Sequence, residues 1–236
     1  MITTILFDLD GTLLPMDQDI FLKEYFSRMV RHMAPHGYDP KLLTQSIWKG
    51  TEAMVSNDGS VTNSDRLWQV FESFFGAGSR ADEPLFEEYY RTGFQEVRHV
   101  CGIDPRAKEA ILSIKDMGFR VALATNPLFP AIATHSRIRW AALSPDDFEL
   151  VTTYENSRHC KPNPDYYRDV MQTMGVTAEE CVMVGNDVVE DMVAESLGMK
   201  VFLLTDCLIN KNNTDIGRYP HGSFPELMAF IGGLNK

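Results

Sequence analysis

Two apolar rhythms alternate along the chain and divide it into unlike parts. Residues 2–7 form a short, nearly unbroken apolar run, the pattern of a strand buried on both faces. From residue 17 to about 97 the period changes. Phe21, Tyr25, Met29 and Met33 recur every four positions, flanked by Leu22, Phe26 and Val30, which predicts a helix with a broad apolar face. Further helices are expected over 41–54, 64–75 and 83–94, separated by glycine-containing turn sequences at 57–60 and 76–79. Val70, Phe71, Phe74 and Phe75, with Phe86, Tyr89, Tyr90 and Phe94, read as the interior of a small helical bundle rather than a ligand-binding box.

Short apolar runs then return in alternation with helical patterns. Helices are predicted at 105–117, 132–139, 165–174 and 188–197, and strands at 120–125, 150–153, 181–184 and 201–204. A polar, turn-rich stretch at 206–223 precedes a closing helix at 225–231. Such alternation predicts an α/β fold: a Rossmann-like, three-layer core whose parallel sheet is covered on both faces. The helical part interrupts that core near its start. The expected division is a core of residues 1–15 and 99–236 with an inserted helical domain, 16–98. No internal repeat or low-complexity tract is present.

Composition narrows the picture modestly. A chain of 236 residues, 44% apolar, is long enough for one large α/β domain with an insertion, and no segment has the length and hydropathy of a membrane span. The first strand begins at once, leaving no room for a leader, so a cytoplasmic location is expected. A net charge of −11 without a compensating Lys/Arg cluster argues against nucleic acid as a partner. Cys101, Cys160, Cys181 and Cys207 lack CxxC spacing and are expected to be reduced thiols.

The chemistry gathers at the strand ends. Directly after the first run comes Phe7-Asp8-Leu9-Asp10-Gly11-Thr12, two carboxylates at a carboxyl-terminal strand edge, where open α/β sheets bind ligands. An ionised aspartate can attack phosphorus without a base to activate it, and a second carboxyl nearby can move a proton for the leaving group. Taken alone, the stretch is equally a strand ending in an Asp-Gly turn. Three later pieces supply what it lacks. The run 121–124 ends in Thr125 and Asn126, whose hydroxyl and amide can hold phosphoryl oxygens. Lys161, before Pro162, supplies a cation. The run 182–184 leads into Gly185-Asn186-Asp187, followed by Glu190 and Asp191.

In these motifs the chain resembles the haloacid dehalogenase superfamily, whose DxDGT, strand-end Thr/Ser, Lys and paired-acid motifs occur in this order. The resemblance covers the whole chain and implies a phosphatase whose helical insertion is a cap over the active site. It makes Asp8 the nucleophile that forms an aspartyl-phosphate, and Asp10 the acid and later the base. Thr125, Asn126 and Lys161 would bind the phosphate. Mg2+ would be held by Asp8, the Asp10 carbonyl and Asp187, with Asn186 and Asp191 supporting. Asn186 and Glu190 share the spacing of Asp187 and Asp191, which leaves the register of the last motif open. Asp187 is preferred because a carboxylate binds a hard cation better than an amide.

The expected partner is a small phosphorylated metabolite; oligomeric state is not legible. Other activities of the superfamily are phosphomutase, phosphonatase and dehalogenase. Phosphonate cleavage would need a cap lysine, for which Lys23 or Lys49 could be proposed, and halide departure would leave Asp10 without a task. A non-catalytic binding module of the same fold is the alternative outside enzymes. Lys49 and Arg66 are candidates for substrate contacts from the cap.

Overall fold

The computed structural model describes residues 1–234. Five parallel strands form one sheet in the order β2-β1-β3-β4-β5: β1 Thr4–Phe7, β2 Arg120–Leu123, β3 Cys181–Gly185, β4 Lys200–Leu204 and β5 His221–Gly222. Phe7 pairs with Leu123 on one side and Val184 on the other, so the carboxyl ends of the three central strands are level. A sheet ordered 2-1-3-4-5 reverses direction of winding at β1, which opens a crevice beyond these strand ends.

Side chains alternate across the sheet. Ile5, Phe7, Val121 and Val184 enter one core cluster, while Leu6, Ala122 and Met183 enter the other. Helices α5 (Pro105–Asp116) and α8 (Phe224–Gly232) contribute to the first cluster, and α7 (Pro164–Met174) to the second. Between β1 and α5 the chain is helical throughout: α1 Gln18–Met33, α2 Pro40–Val55, α3 Asn63–Phe75 and α4 Glu83–Arg91, with short 3-10 segments between and after them. Asp17, Asp39 and Thr62 cap the first three by accepting backbone N–H bonds. An antiparallel bridge between Met16 and Cys101 draws the two ends of the insertion together. Its aromatic interior is continuous with the first core cluster, so the eight aromatic and apolar positions singled out above lie mostly inside.

Three predicted elements differ. The strand at 150–153 is reduced to one parallel bridge, Leu123 to Val151, because the Asn156 side chain takes the Thr153 N–H and turns the chain. The helix at 83–94 stops at Arg91, where the Thr92 hydroxyl bonds back to the Glu88 carbonyl, and Gly93–Val100 continues as 3-10 helix. The helix at 188–197 is a turn followed by a 3-10 segment, Met192–Leu197; Asp187 Oδ1 accepts the Val189 and Glu190 N–H groups, and Asp191 Oδ2 accepts the Asp187 N–H. No helix among the described residues is long and apolar enough to cross a membrane. The four cysteines are free thiols.

Candidate active site

Asp8 follows the last residue of β1 and its N–H still bonds to Val184, which fixes its carboxylate at the central strand edge. One carboxylate oxygen accepts from Lys161 Nζ at 2.9 Å and the other from Thr12 Oγ1 at 3.2 Å. Thr12 is brought back by a tight turn in which Gly11 has φ +82, a conformation costly for other residues. A Cβ at Gly11 would also collide with the Asn186 side chain. The DGT sequence is therefore required twice, by the turn and by the close approach of β1 and β3.

Lys161 is fully buried and its ammonium also donates to Asp191 Oδ1 at 2.6 Å. Burial opposes its charge, but Asp191 and Asp8 outweigh that and hold it protonated well above the usual lysine value. Asp191 is buried as well, which pushes its carboxyl up against the pull of the lysine. The lysine lies in a turn just before α7: Asn126 accepts the Lys161 N–H, and Asn163 caps α7 just beyond it.

Thr125 lies two residues past β2, buried, with its carbonyl held by the Thr152 and Tyr166 hydroxyls at 2.7 and 2.8 Å. Asn126 faces away from a purely phosphate-binding task, since its amide donates to Glu190 Oε2 at 2.9 Å and more weakly to the Lys161 carbonyl. Burial pushes Glu190 up to about 7. In the last motif the two neighbours divide. Asn186 is buried, accepts from Thr12 Oγ1 at 3.0 Å and donates to the Cys207 carbonyl at 2.6 Å. Asp187 is partly exposed, and its Oδ1 accepts the N–H groups of Val189 and Glu190 at 2.7 and 2.9 Å. Asn186, not Asp187, is thus linked through Thr12 to Asp8.

Asp10 carries the feature that the sequence reading missed. Its Oδ2 is ion-paired with Arg137 from α6 (Ala131–Trp140), whose guanidinium is 1% exposed and lies 4.3 Å from the centre of the Phe129 ring. Oδ1 of Asp10 is buried and meets no hydrogen-bond partner among the described residues. Burial raises the Asp10 carboxyl to about 6, with Arg137 opposing and Asp8 adding to the rise. Nothing in the periodicity marks Arg137. The one available signal was an arginine on the turn of a helix that follows the second motif, indistinguishable from its neighbour Arg139.

Among the cap residues named from sequence, Lys23 is exposed, Lys49 is exposed and paired with Glu52, and Arg66 braces the turn at 57–60 through Asn57, Asp58 and Ser60.

A family model for haloacid dehalogenase-like hydrolases matches residues 2–198. Among curated proteins, the phosphoglycolate phosphatase of Colwellia psychrerythraea is 27% identical over 204 residues, covering 83% of each chain. A 2-haloacid dehalogenase from Pseudomonas syringae pv. Tomato superposes with a TM-score of 0.64 at 22% identity, covering 98% of this chain and 99% of its own. The HAD hydrolase YfnB of Bacillus subtilis, in a magnesium-bound structure, gives a TM-score of 0.57 at 19% identity, with 98% of both chains covered.

Proposed function

Because the chain belongs to the haloacid dehalogenase-like hydrolases, we propose that it hydrolyses a small phosphomonoester through an aspartyl-phosphate on Asp8. The observation that carries this reading is the pairing of a second carboxyl, Asp10, with a buried arginine beside Asp8. A dehalogenase has no leaving group to protonate and would leave Asp10 idle.

In the proposed reaction an Asp8 oxygen attacks phosphorus in line and displaces the leaving alkoxide. Asp10 must first take up a proton, which burial favours and Arg137 opposes; it then donates that proton to the leaving oxygen and later takes one from the hydrolytic water. Lys161, anchored on Asp191, turns from Asp8 toward the transferring phosphoryl oxygens, joined by Thr125. Asn126 holds the lysine segment and Glu190 in register and is a positioning residue rather than a phosphate ligand. The helical segment 16–98 acts as the cap that excludes water.

The donor chemistry fits a hard divalent cation: carboxylate, backbone carbonyl and amide oxygens surround Asp8. Magnesium would be held by the Asp8 carboxylate, the Asp10 carbonyl and the Asn186 side-chain oxygen, which the link through Thr12 favours over Asp187. It would supply positive charge to the substrate phosphate. A B. subtilis neighbour of the same fold is described with magnesium bound.

The test is phosphate release from p-nitrophenyl phosphate with magnesium or with excess chelator. Asp8→Asn should abolish turnover, chelator should suppress it, and Asn186→Ala should raise the magnesium requirement more than Asp187→Ala. Full activity in chelator, or turnover by Asp8→Asn, would remove the reading; the reverse order of the last two variants would return Asp187 to the metal.

A further inference from the structure

Between the helical insertion and the core loop that follows the second motif lies an apolar cavity of about 140 Å³. Its floor is Leu128, Phe129 and Pro130, which begin two residues after Asn126; Tyr25, Trp68 and Tyr90 are among its walls. None of its lining residues is charged. A cavity of about 150 Å³ lined by aliphatic and aromatic side chains accepts one benzene molecule.

Two observations relate this cavity to the candidate active site. Phe129, on its floor, also packs against the Arg137 guanidinium, and that arginine holds Asp10. The proton donor for the leaving group is therefore linked to the cavity by a single ring. In the proposed reaction the leaving oxygen departs opposite the attacking Asp8 oxygen and is protonated by Asp10, so the alcohol extends from the side of Asp10. The walls are not wholly apolar. The Tyr25 and Tyr90 hydroxyls pair at 3.0 Å, while the buried Trp68 indole N–H meets no acceptor among the described residues.

We infer that this cavity receives the leaving alcohol of the substrate, and that this alcohol carries one apolar group about the size of an aromatic ring. The inference rests on the phosphatase reading and adds a substrate class to it. A leaving group bearing a carboxylate or a further phosphate would meet no cation here and would lose its hydration, so such esters are discriminated against. A ring would exchange water for contact with Phe129, Phe71 and Trp68.

The experiment compares benzyl phosphate with glycerol 3-phosphate, whose leaving alcohols are both primary and of similar acidity, so that their ratio reports binding rather than leaving ability. The expected kcat/KM ratio favours the benzyl ester by about 10- to 200-fold, the range for apolar groups in a fitted pocket. Thr51, on the cavity wall, offers a filling variant. Thr51→Phe should bring the ratio to within about threefold of unity, and Leu67→Phe, filling from another wall residue, provides the same test if the first variant does not fold. A ratio at or below one, or one that neither filled variant changes, overturns the inference.

If neither ester is turned over, the phosphatase reading fails separately and binding still decides the cavity. Benzyl alcohol should then shift the fluorescence of the wall tryptophans Trp48 and Trp68 saturably in the unmodified protein and not in the filled variant. Absence of that shift rejects the site.

Discussion

At the scale of single residues, the decisive feature is that Asp8, Asp10 and Asp191 each face a buried cation. Lys161 answers Asp8 and Asp191, and Arg137 answers Asp10. Removing one member of a buried pair leaves the other uncompensated, a loss of about 3–5 kcal/mol. Arg137→Met should therefore lower the melting temperature, but a structural role alone would lower turnover equally for all esters. If Arg137 positions Asp10, alkyl phosphates should lose about 10²- to 10³-fold in kcat while p-nitrophenyl phosphate, whose departure needs no proton, loses less than about tenfold. Arg137→Lys should recover part of the alkyl rate. Equal losses across leaving groups would leave the arginine a purely structural residue. Glu190 gives a second prediction, in stability. Its carboxyl is raised from 4.5 to about 7, so between those values the folded protein keeps a proton that the unfolded chain has released. Stability contributed by this group is present below about pH 4.5 and is lost as pH rises to about 7, by at most about 3 kcal/mol. Denaturant unfolding of Glu190→Gln across that window should show a shallower decline than the parent; an identical slope would place the effect on other groups.

At the scale of elements, periodicity identified every long helix, because burial of one face imposes a 3.6-residue repeat whatever the function. Boundaries moved where a side chain competed with the backbone. Thr92 ended α4, and Asn156 ended the pairing at Val151. The start of α3 shows a different effect. Its Asn63 and Ser64 N–H groups, which no residue of the helix can satisfy, donate to the carbonyls of Ser157 and Tyr154. The Asn63 amide adds bonds to the carbonyls of Pro127 and His159. One helix terminus thus ties the insertion to the loops on either side of the site, immediately before Lys161. A buried asparagine at a helix start reads in sequence as an ordinary cap, and only the partner loops give it this role.

At the scale of the whole molecule, the insertion and the sheet share one hydrophobic interior. Phe21, Tyr25, Trp68 and Phe94 belong to the same buried cluster as Ile5, Phe7 and Val184. Thermal unfolding should accordingly be a single cooperative transition seen equally by tryptophan fluorescence, which reports the insertion through Trp48 and Trp68 and the core through Trp140, and by far-ultraviolet circular dichroism. Two separated transitions would mean that the insertion folds independently. The sequence by itself determined the α/β core, the helical interruption and the place of Asp8 and Asp10 at a strand end, because periodicity and strand-end chemistry are local properties of the chain; Thr125, Lys161 and Asp191 were named through the order of motifs that resembles a family. It did not determine which of Asn186 and Asp187 turns toward Asp8. That choice depends on Thr12 and the Cys207 carbonyl, which lie far away in the sequence. Nor did it single out Arg137 or the cavity above Phe129, since a buried ion pair and an enclosed volume exist only once α6, the first loop and the helical insertion have come together.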